Sequence, residues 1–196
     1  IVSISGNNLL VALVLTMASS LVLGMGLPTA AAYILVATLT APALVSMGVD
    51  LMAAHMFVFY SAMLSSITPP VALAAFAAAA ICREPPMRVA MISVKFGFVA
   101  FLLPYFFVLE PRLLGMGGIG ETVGVFAMAV VGVLSLACVL QGYAFGKLTT
   151  LSRIVIGIAA LAVLMPDLKF KLIGIAAILA VLAAWKIGQF TKSNQN

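Results

Sequence analysis

Long apolar runs alternate with short interruptions rich in Gly, Pro and Ser, and the interruptions carry as much information as the runs. Leu9 to Leu23 is apolar with Thr16, Ser19 and Ser20 interspersed. As a helix at about 1.5 Å per residue it spans about 23 Å, short of the roughly 30 Å hydrocarbon core of a bilayer. Gly24-Met25-Gly26-Leu27-Pro28-Thr29 then breaks it, with Thr29 placed to cap the helix that follows. Ala30 to Met47 is apolar again and ends at Gly48-Val49-Asp50, the first charge of the chain. Two short apolar arms around a Gly/Pro tip predict a re-entrant helical hairpin over 5–48.

The next element is interrupted as well. A helix reads from Met52 through Leu64, stops at Ser65-Ser66-Ile67-Thr68-Pro69-Pro70, and resumes as an Ala-rich run from Val71 to Ile81. The pattern predicts one broken membrane helix over 51–82. Lipid cannot satisfy freed amides and carbonyls, so non-helical backbone at membrane depth survives only inside protein or beside a wet cavity. Two breaks in consecutive elements therefore call for a shared polar site.

Beyond the charged loop Arg83-Glu84-Pro85-Pro86-Met87-Arg88, a helix is predicted over 87–109, followed by a connector over 110–120 that is glycine-rich from Gly115 to Gly120. The remainder, 121–196, reads as about three helices. Val123 to Leu140 is a plain span, and Ile154 to Met165 and Leu172 to Trp185 form two arms around the turn Pro166-Asp167-Leu168-Lys169-Phe170-Lys171.

Composition makes lipid the solvent. Of 196 residues, 65% are hydrophobic and 8% charged, against about 45–50% and about 25% in soluble domains; the mean hydropathy is +1.29. The fold class is thus an all-α, polytopic membrane protein. The ten Lys/Arg against five Asp/Glu punctuate gaps between apolar runs instead of forming one polar face with aromatics, which excludes a nucleic-acid surface. They serve as topology signals. Arg83, Arg88 and Lys95 place the first basic loop inside, Lys147 and Arg153 the second, and Lys186 and Lys192 the end, leaving the hairpin mouth near Asn7, Asn8 and Asp50 outside. Lys169 and Lys171, in a turn assigned outside, dissent.

Chemistry has few candidates. Cys82 and Cys138 are isolated, with no metal-ligand spacing, and read as packing thiols. His55 stands alone as the single histidine, and no nucleophile–base set or phosphate-cradling motif occurs. An enzyme is not expected, and no organic cofactor. The breaks remain. Helix ends and Ser/Thr oxygens make cages suited to Na⁺, and with no carboxylate in either break the ligation falls to Gly24, Gly26, Ser65, Ser66 and Thr68. The candidate ion or substrate site comprises Gly24, Met25, Gly26, Pro28, Thr29, Ser65, Ser66, Thr68, Pro69 and Pro70. The plain alternative is that Gly and Pro only kink packed helices.

Leu23-Gly24-Met25-Gly26-Leu27-Pro28-Thr29, then Gly48-Val49-Asp50, then Ser66-Ile67-Thr68-Pro69-Pro70-Val71 resemble, in order and spacing, the large membrane subunit of tripartite ATP-independent periplasmic (TRAP) transporters over residues 5 to 110. The tip and the Ser-Ser-Ile-Thr-Pro-Pro run look most like the fused permeases that work with TAXI-type binding proteins, and the spans from Val123 to Trp185 suit their longer tails. The resemblance implies a C-terminal transport repeat over 1–120 with a membrane extension over 121–196. It implies one half of an inverted-repeat, elevator-type, sodium-coupled importer of organic acids in the bacterial inner membrane, fed by a periplasmic TAXI-type solute-binding protein. The start at Ile1 reads as a cut, so the N-terminal half of the permease, with the other half of the site, is expected as a missing partner. A non-TRAP ion or carboxylate transporter, or a membrane scaffold that uses the breaks for packing, are the competing classes.

Overall fold

The computed structural model describes residues 2–144, 146 and 148–193, and among them every regular element is helical. In order these are α1 (Val2–Ser5), α2 (Leu9–Gly24), α3 (Thr29–Ser46), α4 (Leu51–Leu64), a 3-10 turn (Ser65–Ile67), α5 (Leu73–Cys82), α6 (Pro86–Leu109), a second 3-10 turn (Pro111–Leu114), α7 (Ile119–Gln141), α8 (Thr150–Leu164) and α9 (Leu168–Ser193). Thr29–Ser46, Pro86–Leu109 and Ile119–Gln141 are long and apolar enough to cross a membrane, whereas α2, α4, α5 and α8 are apolar but shorter. The all-helical polytopic architecture expected from the pattern is what the chain forms. It divides into two compact units, Ile1–Leu114 and Gly115–Asn196.

Local chemistry sets the ends of the helices in the first unit. Asn8 caps α2, its side chain accepting from the Val11 N–H, and Asp50 caps α4 by accepting from Met52 N–H at 2.7 Å and Ala53 N–H at 3.3 Å. Between α3 and α4 the chain reverses through a Schellman turn. Gly48 takes φ +88°, its N–H bonds to Val45 O, the Val49 N–H bonds to Leu44 O, and Val49 is buried. At the end of α5, Arg83 sits in the left-handed region and the Glu84 N–H reaches back to Ala79 O, after which Pro86 opens α6 at its favoured first position. Thr29 differs from expectation. Pro28 occupies the cap position of α3, its carbonyl taking the Ala32 N–H, and Thr29 is the first helical residue with no capping hydrogen bond.

Packing in this unit uses small residues. Ala12, Ala32, Ala53, Ala54, Ala72 and Ala90 are fully buried, while Ile34, Ile81 and Phe96 are well exposed. Small side chains let helix backbones approach and large apolar ones face outward, the arrangement expected where lipid replaces water. Two clusters form the interior. Leu13, Met17, Leu44 and Phe57 join α2, α3 and α4 at one end, and Val36, Ala41, Val58 and Ala62 join α3 to α4 further along. Tyr105 from α6 closes edge-on against Phe57 at 5.2 Å.

The second unit is a three-helix arrangement in which α8 packs against both α7 and α9. Gly132 and Gly174 mark its tightest approaches, where an added Cβ would lie 2.8 Å from Leu164 Cγ and 2.5 Å from Ala159 O. Arg153, in the first turn of α8, donates from Nε to Val139 O at 2.9 Å, supplying charge to the C-terminal end of α7. α8 starts before its expected Ile154 and ends at Leu164, and α9 runs past both of its expected ends. The segment from Leu168 to Lys171, expected as a turn, is instead the first turn of α9 because the Asp167 carboxylate accepts the Lys169 N–H at 3.0 Å. Lys147 and the side chains of Lys186 and Lys192, which entered the topology reading, lie outside the described residues.

Candidate functional site

The tip between α2 and α3 is a tight reversal. Met25 N–H returns to Val22 O, Leu27 N–H returns to Gly24 O, and Gly26 adopts φ +76°, a conformation that a side chain resists. The break after α4 is built differently. Thr68 N–H closes a 3-10 turn onto Ser65 O, and the hydroxyls of Ser65, Ser66 and Thr68 donate to Ala62 O, Met63 O and Leu64 O at 2.6, 2.8 and 2.7 Å. Three consecutive carbonyls at the end of α4 thereby gain a hydroxyl donor, and Ala62 O and Met63 O also share the Ser65 N–H. The Pro69–Pro70 peptide is cis.

These two segments meet. A Cβ on Gly24 would stand 2.7 Å from Ser65 Oγ, 3.1 Å from Ser65 Cβ and 3.4 Å from Ala62 O, and one on Gly26 would stand 3.5 Å from Val71 Cγ1. The last residue of α2 is therefore seated against the end of α4, bringing two helix C-termini together. Each carries about half a negative charge, so their junction favours a cation. The hydroxyl protons already point at α4's own carbonyls, which leaves oxygen lone pairs, not donors, for anything else.

Of the candidate residues, Gly24 and Ser65 are buried together; Met25, Ser66, Thr68 and Pro69 are half-buried; Gly26, Pro28, Thr29 and Pro70 are exposed. Among the described residues no side-chain hydrogen bond joins the tip to Ser66 or Thr68. Gly97 of α6 was not singled out in the sequence, yet it backs the break, since a Cβ there would meet Ile67 Cδ1 at 2.8 Å. A lone glycine in a long apolar helix carries no signal of what it abuts.

Other polar groups lie elsewhere. His55 Nδ1 and the Tyr33 hydroxyl are 2.9 Å apart, giving the single histidine a packing partner on the wall of a mainly apolar cleft of about 530 Å³ between α3 and α4. Glu110 is buried and forms a two-pronged ion pair with Arg112, at 2.5 and 2.9 Å, where the chain leaves α6. Among the described residues no group of three His, Cys, Asp or Glu could hold a metal.

A helical, lipid-facing unit whose consecutive helices break against one another defines an integral membrane protein. Its family follows from comparison. The family model described as "Tripartite ATP-independent periplasmic transporter, DctM component" matches residues 1–117, and the chain belongs to that family. No curated protein and no solved structure matches it. Membership makes the chain a component of a secondary transporter, and not of an enzyme family, with a periplasmic binding protein and a small membrane subunit as the implied partners.

Proposed function

We propose that this chain supplies the C-terminal transport repeat of a sodium-coupled TRAP importer of organic acids, of the fused kind served by a TAXI-type binding protein in the bacterial inner membrane. The seating of Gly24 against Ser65 carries this reading. It joins the two places where apolar helices release backbone oxygens, and it converges two negative helix ends in a region without carboxylates. Na⁺ needs several neutral oxygens in place of its hydration shell, and hydroxyls whose protons are already directed elsewhere provide them. The starts of α3 and α5, just past the two breaks, carry the opposite partial charge and suit a substrate carboxylate. Among the described residues the tail from α7 onward has no comparable polar break. The hairpin mouth at Asn8 and Asp50 faces outward by the distribution of Lys and Arg, towards the binding protein.

In the assembled transporter, Ser66→Ala combined with Thr68→Ala should raise the Na⁺ concentration for half-maximal uptake about tenfold, equivalent to roughly 1.4 kcal/mol of lost coordination. Truncation after Gly120 should leave that concentration unchanged. A double variant with wild-type sodium dependence would reject the site, and a large shift on truncation would move coupling into the tail.

A further inference from the structure

A row of buried hydroxyls lies away from the proposed ion site. Thr16 and Ser20 on α2 and Ser61 on α4 are each 0% exposed. Both helices run toward the break, and Gly24 meets Ser65 there. Counting one helical turn back from that contact gives Ser20 on α2 and Ser61 on α4, and a further turn back on α2, about 6 Å along the axis, gives Thr16; the same register brings Leu13 and Met17 of α2 into one cluster with Ala53, Ala54 and Phe57 of α4.

The donors and acceptors of this row do not balance. The Ser20 hydroxyl proton goes to Thr16 O at 2.6 Å and the Ser61 proton to Phe57 O at 2.7 Å, so both oxygens retain only lone pairs. Thr16 Oγ1 is buried with no hydrogen-bond partner. A hydroxyl so placed is destabilising unless something accepts its proton, and two neighbouring oxygens lack a donor.

We infer that Thr16, Ser20 and Ser61 hold one buried water molecule between α2 and α4. The water accepts from Thr16 Oγ1 and donates to the oxygens of Ser20 and Ser61, which gives it the three partners typical of buried waters. A cation fits this place poorly. No carboxylate lies in α2 or α4, the position is two turns inside α2, and the helix dipole acts only within the last turn. A desolvated unpaired charge costs many times the modest entropy of fixing a water. The water ties the first arm of the hairpin to α4, so that tip and break are held in register from behind. This assignment does not depend on which ion, if any, occupies the tip.

Thr16→Val removes the hydroxyl and keeps the shape. An orphaned hydroxyl predicts that thermal stability of the purified full chain in detergent is unchanged or raised by that substitution. The water predicts a midpoint lowered by about 2–4 °C, restoration by Thr16→Ser, and equal effects in NaCl and choline chloride. Thr16→Val and Ser61→Ala should also be non-additive, because each breaks the same bridge. Unchanged or raised stability, strict additivity, or a loss seen only in NaCl would each overturn the assignment.

Discussion

At Gly24 a few tenths of an ångström decide the contact between tip and break. The hydrogen of glycine is the largest substituent that fits, because Ser65 Oγ is held at its place by the bond to Ala62 O and cannot swing aside freely. Gly24→Ala should therefore lower thermal stability by the equivalent of about 1–3 kcal/mol, the usual cost of overfilling a packed contact. It should also lower sodium-driven uptake. Adding Ser65→Gly removes the obstructing atoms, and the pair should recover melting temperature without recovering sodium affinity. Recovery of both would make the contact a matter of packing alone. The breaks themselves were legible in the sequence, since Gly26, Pro28, Pro69 and Pro70 announce them. That the breaks share a site was legible too, but not the direct contact of Gly24 with Ser65 or the burial of Thr16, Ser20 and Ser61, because Ser and Thr can bond to their own helix's carbonyls on any face and their spacing alone does not mark an interface.

At the scale of elements, apolar runs and their punctuation located the helices well where a cap or proline marked the boundary. Asp50 and Pro86 each stand at a helix start. Punctuation misleads where a polar segment is itself helical. Leu168 to Lys171 has the composition of a turn, yet the Asp167 side chain nucleates α9 there. Arg153 shows the converse, a residue read as a loop charge that belongs to two helices at once. Its guanidinium sits beside Gly142, which takes φ +69° at the end of α7, and donates to Val139 O. Arg153→Gln should destabilise the second unit by about 1 kcal/mol through loss of the charged donor at that terminus, and Arg153→Lys should fall between. Thermal unfolding monitored at Tyr143, which lies at the same turn, would separate these outcomes; identical midpoints for all three proteins would remove the capping role.

For the whole molecule, hydropathy and the ordered motifs around the two breaks were enough for class and family, because a bilayer imposes length and polarity rules that a single sequence displays openly. In the first unit fully buried Ala residues pack between the helices while Ile34, Ile81 and Phe96 face outward, and the family match covers that unit, which holds both breaks. Na⁺ bound between tip and break would shield the tip from reagents. With Cys82 and Cys138 replaced by Ala, Met25→Cys leaves this sequence with one thiol, at the half-buried tip next to Gly24 and Gly26, to be followed by its own labelled peptide in the assembled transporter. Na⁺ is expected to slow its reaction with a small membrane-permeant thiol reagent several-fold relative to choline, whereas a thiol at Val123 reacts at one rate in both salts. Equal labelling of the Met25→Cys thiol in Na⁺ and choline would contradict Na⁺ binding between tip and break.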